Sequence, residues 1–190
     1  MISIIIPVIR PQNIPKLLEE IEKNTVIEHE VIWEEDVDRI GTPKMVKKLT
    51  DIAKYDWIVF LGDDTLPDKD CIDNAYIKAL REDLLLVGMN DHDTRRATHW
   101  LANKSLLEHL DGQEFFYTGY IHNFCDDELR VRTEDIGKYG WCENARIQHD
   151  HPAFTGKKDE TYTKQTDITN WEHDKNLFWE RNPKHKNYGA

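Results

Sequence analysis

Two adjacent aspartates, Asp63 and Asp64, close the apolar run Trp57-Ile58-Val59-Phe60-Leu61-Gly62. Such a run suits a strand buried on both faces. Carboxylates side by side at its end repel each other, and a bound Mg²⁺ or Mn²⁺ relieves that repulsion. The plainer alternative is a turn, to which Gly-Asp-Asp-Thr is equally suited. A second acidic group, Glu34-Glu35-Asp36, follows apolar Val31-Ile32-Trp33, and a third, Asp126-Asp127-Glu128, opens a helical pattern. There acids also cap the helix and complement its dipole, which needs no catalysis. His149 and His151 alternate along a strand-like segment, so one face can carry both. Asp91-His92-Asp93 also has metal-ligand residue types, and we read it as a solvated loop. Trp100 reads as core, while Trp171 and Trp179 either cover a cleft or pack the tail down.

These groups need elements to position them. Ser3-Ile4-Ile5-Ile6-Pro7-Val8 predicts a first buried strand, and Leu17, Leu18 and Ile21 mark a helix through Asn24. Val31 to Trp33 is a second strand. Thr42-Pro43 starts a second helix, along which Met45, Val46, Leu49, Ile52 and Ala53 keep helical spacing. The strand ending at Leu61 comes third. A helix over 71–80 and a strand over 84–89 follow, then a strand at 98–102 leading into a helix near 105–110. A helix over 126–137 and a short strand over 145–149 complete the pattern. Strands alternating with helices predict an α/β fold, a single Rossmann-like domain with a mostly parallel central sheet flanked by helices. In such sheets ligands bind at the carboxyl ends of the strands, where the acidic groups at 34–36 and 62–64 fall. The domain is expected over 1–152. Residues 153–190 are expected to form a polar extension that packs on the domain or is partly mobile.

A chain of 190 residues is long enough for one ordinary core. Its formal net charge of -11 argues against a nucleic-acid surface, which needs clustered Lys and Arg. It leaves room for a nucleotide whose diphosphate is neutralised by a metal. Cys71, Cys125 and Cys142 are odd in number and show no metal-knuckle spacing, so free thiols and a cytoplasmic location are expected. The apolar stretch from Ile2 to Val8 is too short for a signal peptide or a membrane span.

The order of these features resembles the family-2 glycosyltransferases with the GT-A fold. Ile4-Ile5-Ile6-Pro7 resembles their proline-ended first strand, and Phe60-Leu61-Gly62-Asp63-Asp64 stands where they carry a metal-binding DXD motif. Gly62 replaces the first acid of that motif's commonest form. The helix and glycine at Lys104 to Gly112, the acids from Asp126, then Arg132, Gly137, Ala145-Arg146-Ile147 and His149 continue the likeness over residues 2–152.

That resemblance implies a metal-dependent, inverting transfer of a sugar from a nucleotide-sugar donor, with a UDP-sugar favoured, to an acceptor hydroxyl. Asp126 would be the general base, with Asp127 the next choice. Asp64 and His149 would hold Mn²⁺ or Mg²⁺, with Asp63 assisting. Glu34 or Glu35 would accept hydrogen bonds from the nucleobase, and Pro7 and Val8 would supply backbone around the base or ribose. Arg39 and Lys44 are candidates for a diphosphate contact, as is Lys47. Two other classes compete: a non-catalytic sugar- or nucleotide-binding module of the same fold, and a nucleotidyltransferase. The acidic chain gives the latter no basic template channel.

Overall fold

The computed structural model describes residues 1–92, 95–156 and 167–186. The strands are β1 (Ile2–Val8), β2 (His29–Glu35), β3 (Trp57–Phe60), β4 (Thr65–Pro67), β5 (Leu86–Asn90), β6 (Trp100–Asn103) and β7 (Tyr139–His149). The helices are α1 (Ile14–Asn24), α2 (Thr42–Ile52), α3 (Cys71–Glu82), α4 (Cys125–Asp135), the short α5 (Pro152–Thr155) and α6 (Ile168–Arg181). The strands form one sheet in the order β2-β1-β3-β6-β5-β7-β4. β1, β2, β3, β5 and β7 share one direction, while β6 and β4 run against it. The mostly parallel sheet is therefore as expected.

Alternation along the strands builds a core on each face. Ile2, Ile4, Ile6 and Val8 of β1 join Val59, Val87 and Leu101 beneath α1 and α3. Ile5, Ile58, Phe60, Leu86 and Trp100 point the other way, toward α2 and α4. Trp100 is fully buried, the core residue its strand position suggested. The helices follow their stripes: Leu17 and Ile21 are buried on α1, and Met45, Val46 and Leu49 on α2.

Three features depart from the sequence pattern. The segment after Lys104 is 3-10 helix over Lys104–His109 instead of α-helix. β7 is longer than its apolar stretch, because its first half pairs with β5 beyond the expected 145–149. β4, three residues long, directly follows Asp64 and has no apolar run to announce it. α4 ends at Asp135, and Gly137 makes the turn into β7 in the left-handed region (φ 69°) that favours glycine.

The tail is part of the core. Phe178 of α6 is fully buried with Phe124, Leu129 and Val131, and its ring lies 5.6 Å from that of Phe124. Glu128, buried on α4, accepts hydrogen bonds from Arg181, Asn182 and the Tyr120 hydroxyl. Any mobility expected between 157 and 166 or after 186 concerns residues outside those described. Among the described residues no helix is long and apolar enough to cross a membrane. The three cysteines are buried free thiols. Phe178→Ala is expected to cost about 3–5 kcal/mol of stability, the range for emptying a buried phenylalanine site. Urea denaturation of the full chain measures it, and a loss near zero would show that the tail adds nothing to the core.

Candidate active site

The carboxyl ends of β1, β2, β3, β5 and β7 meet at one edge of the sheet around a cleft of about 490 Å³. Asp36, Asp63, Asp64, Asp91 and His149 line it, all at or just past the ends of these strands. Antiparallel β6 brings its opposite end to the same edge and contributes His99.

Asp63 bridges strand ends. Its Oδ2 accepts the backbone N–H groups of Ile9 and Arg10, each at 2.6 Å, and its Oδ1 lies 2.6 Å from Arg10 Nη1. With its backbone oxygen bonded to Asn13 Nδ2, Asp63 is fully occupied in fixing the loop after β1. Its carboxylate is turned to that loop and not toward His149.

Asp64 and His149 are aligned by backbone pairing. Thr65 of β4 stands opposite His149 of β7, and Asp150 N–H donates to Asp64 O at 2.9 Å. The side chains then face each other, with His149 Nε2 3.5 Å from Asp64 Oδ1. On the ring's other side, His149 Nδ1 lies 2.9 Å from Asp91 Oδ2. Burial would raise the Asp64 carboxyl, but His149, Arg10 and His99 outweigh it and lower its pKa to about 2. Burial likewise opposes ionisation of Asp91, and the two imidazoles hold it well below the usual carboxylate range. Burial would discharge His149, yet its two carboxylate neighbours raise its pKa to about 9. An imidazole held between the buried Asp91 and the partly buried Asp64 carboxylates marks a pocket built for positive charge.

Asp91 and His99 are the residues the sequence reading missed. Asp91, expected in a solvated loop, is buried, because β5 and β6 pair antiparallel and turn the ends of their connection inward. His92 is exposed as expected, and Asp93 lies outside the described residues. His99 is 3% exposed and stacks on Phe60, its ring 6.0 Å away. Burial lowers its pKa, against the pull of Asp91. Only the sharp change from polar Asp91–Thr98 to the apolar β6 hinted at either residue.

The acids opening α4 divide their labour. Asp126 and Asp127 line the cleft, whereas Glu128 faces away and anchors α6. Asp126 is half-buried, with Thr98 Oγ1 3.4 Å from its Oδ2. Burial raises its pKa, and nearby Arg96 opposes the shift. The loop before α4 is held from the tail: buried Asp174 of α6 accepts the backbone N–H groups of Ile121, His122 and Asn123 at 2.9, 2.9 and 2.8 Å. His122, Asn123 and Trp171 thereby reach the cleft wall. His151 lines it too, its ring 5.1 Å from that of His149.

Of the other expected site residues, Pro7 and Val8 line the cleft, but Glu34, Glu35, Arg39 and Lys44 do not. Glu34 pairs with Lys48 of α2, and Glu35, Arg39 and Lys44 are exposed. β2 is an edge strand of the sheet, and its last two side chains turn to α2 or to solvent. The acid at its end that reaches the cleft is Asp36, whose carboxylate accepts the N–H groups of Ile40 and Gly41. The cations that reach it are Arg10, 3.4 Å from Asp64, and Arg96.

No family model matches the sequence, and no curated protein matches it. In fold the chain is similar to the mannosyltransferase PcManGT from Pyrobaculum calidifontis, solved in complex with GDP-Man and Mn²⁺. The TM-score is 0.64 at 16% identity, over 76% of this chain and 55% of that one. The chain thus spans about half the length of that enzyme. It is also similar to S. aureus TarS 1-349, with a TM-score of 0.63 at 13% identity over 99% of this chain and 72% of that one. The same fragment in complex with UDP-GlcNAc gives a TM-score of 0.61 at 12% identity over 98% and 73%. These likenesses show a GT-A-like glycosyltransferase fold.

The bridging role of Asp63 carries its own test. Asp63→Ala strands two backbone donors and takes from Arg10 its 2.6 Å ion pair, and is expected to cost about 3 kcal/mol. Exposed Glu35→Ala is expected to stay within about 0.5 kcal/mol of the parent. Urea midpoints of the two variants compare them directly, and equal midpoints would remove Asp63 from the framework of the site.

Proposed function

We propose that this chain is a metal-dependent glycosyltransferase that moves a sugar from a nucleotide-sugar donor to an acceptor hydroxyl, with inversion at the anomeric carbon. The observation that carries this reading is the convergence of Asp64, His149 and Asp126, far apart in sequence, on one cleft at the carboxyl edge of the sheet. The GDP-Man and Mn²⁺ complex of the mannosyltransferase and the UDP-GlcNAc complex of TarS support the donor class. A UDP-sugar is the favoured donor, since the likeness to TarS extends over nearly the whole chain.

Asp64 and His149 would hold the cation, and the oxygen–nitrogen donor set suits Mn²⁺ as well as Mg²⁺. The buried Asp91 Oδ1, which has no hydrogen-bond partner, fits a pocket whose polar groups are arranged around a charged guest. When bound, such a cation supplies charge neutralisation for the departing diphosphate. The protein's own groups do the rest. Pro7 and Val8 border the nucleoside end, and Asp36 is the acid there able to accept hydrogen bonds from base or ribose. Asp126 takes the proton of the attacking hydroxyl. A carboxyl raised by burial is a stronger base than a solvated one, and Thr98 and Arg96 keep it oriented and ionised. Asp127 stands beside it. Trp171 provides a flat apolar surface on which a sugar face packs.

Two variants test the assignment. Asp126→Asn is expected to lower kcat by about 10²–10⁴-fold while donor affinity is kept. Asp64→Ala is expected to abolish the metal dependence of donor binding, read by calorimetry with UDP-, GDP- and CDP-sugars and Mn²⁺. Donor affinity unaffected by a chelator counts against the metal site. Binding without turnover, in parent and Asp126→Asn alike, identifies a binding module. Transfer of a nucleotide in place of a sugar identifies a nucleotidyltransferase.

A further inference from the structure

Gly62 occupies the place of the first acid in the commonest DXD form, and the structure shows what fills the space that such a side chain would take. Its backbone is not in the left-handed region, so conformational freedom does not account for the glycine. Space does: a Cβ at Gly62 would lie 2.9 Å from Asp64 Oδ1 and 3.2 Å from His99 Nε2. An imidazole from β6 stands where an acid from the end of β3 would project.

His99 and His149 are arranged as a pair. Their rings are 4.7 Å apart and nearly perpendicular, at 88°. Asp91 Oδ2 lies behind both, 2.9 Å from His149 Nδ1 and 3.4 Å from His99 Nδ1. With Nδ1 of each ring turned to Asp91, each Nε2 points away from Asp91. His149 Nε2 is 3.5 Å from Asp64 Oδ1, and His99 Nε2 and that oxygen both border the space that a Cβ at Gly62 would take. Carboxylates that orient imidazoles through the far nitrogen are the usual outer partners of histidine metal ligands. Were His99 only a core ring stacked on Phe60, burying it with no better partner for its Nδ1 than Asp91 at 3.4 Å would be a net cost.

We propose that His99 Nε2 is a third protein ligand of the divalent cation, beside Asp64 and His149, replacing the acid missing at Gly62, and that Asp91 is the positioning residue for both rings. This rests on the reading of Asp64 and His149 as the metal site.

The test uses the full chain and Mn²⁺ alone, with no donor. Electron paramagnetic resonance of free Mn²⁺ gives the affinity, and nitrogen hyperfine coupling in chain carrying ¹⁵N-histidine counts the bound imidazoles. The parent is expected to show two imidazoles. His99→Phe keeps the stack on Phe60, and is expected to show one imidazole and at least tenfold weaker binding, within the ~10–100-fold that even outer partners contribute. Asp91→Asn is expected to weaken Mn²⁺ by about tenfold or more and to blur the nitrogen coupling without removing it. The double variant Gly62→Asp/His99→Ala, which returns an acid to the vacated space, is expected to regain most of the affinity with one imidazole.

Unchanged affinity and nitrogen count in His99→Phe, with binding lost in Asp64→Ala, would overturn the role of His99 and leave the metal site standing. Mn²⁺ binding untouched in Asp64→Ala and His149→Ala would overturn both. Should His99→Phe fail to fold by circular dichroism, the count in the parent decides: two imidazoles support the proposal and one overturns it.

Discussion

Negative charge gathered at the edge of a sheet that is buried on both faces must be balanced locally, and the architecture around the cleft follows from that constraint. Ionised carboxylates out of water are costly unless paired. Asp63 is balanced by Arg10 and two backbone N–H groups, and Asp36 by the amides of its own loop. Asp174 is balanced by the three amides before α4. Asp64 and Asp91 have His149 between them, with Arg10 and His99 beside Asp64 and Asp91 respectively. The first three are closed, internally satisfied structures. The last is the one set whose polar atoms remain partly unsatisfied in a cavity open to a ligand.

This division explains which parts of the site were legible in the sequence. β1 and β3 could be read because double-sided burial requires unbroken apolar runs, and a Pro or an acid ends each. Asp64, Asp126 and His149 were found because they sit at element boundaries whose order resembles a known pattern. Asp91 and His99 were not, because they reach the cleft only through the antiparallel pairing of β5 with β6. No local periodicity encodes which loop residues such a pairing turns inward. Glu34 and Glu35 look as acidic as Asp36, and only the position of β2 at the sheet's edge decides which of the three meets the cleft.

The tail shows the same limit on a larger scale. Its composition is polar, and the residues that tie it down are few: Phe178 in the core, Asp174 on the backbone before α4, and the Arg181–Asn182 pair on Glu128. Each depends on a partner about fifty positions earlier. Glu128 reads locally as a helix-dipole acid like Asp126 and Asp127, yet its burial against α6 separates it from them. The consequence reaches the cleft. His122 and Asn123, whose backbone N–H groups Asp174 holds, line the cleft with Trp171, so part of its wall is shaped by residues beyond 152.

On the reading proposed above, an imidazole in place of an acid beside the cation also has an electrostatic logic. With Asp64 and Asp91 ionised, a divalent cation sums with them to zero, while Arg10 and Asp63 cancel each other. An aspartate at position 62 would leave the cluster with a net negative charge, facing a donor diphosphate that is itself an anion. A neutral His99 supplies a lone pair without that charge, so attraction for the diphosphate is kept although Asp91 has been added behind the rings. Coulomb energies between charges a few ångströms apart in a half-buried cleft are several times those in water. One carboxylate more or fewer therefore outweighs any difference in donor preference between oxygen and nitrogen. On this argument Gly62, His99 and Asp91 would act together: a carboxylate behind the two rings would orient them and stand further from an incoming diphosphate than an acid at position 62 would.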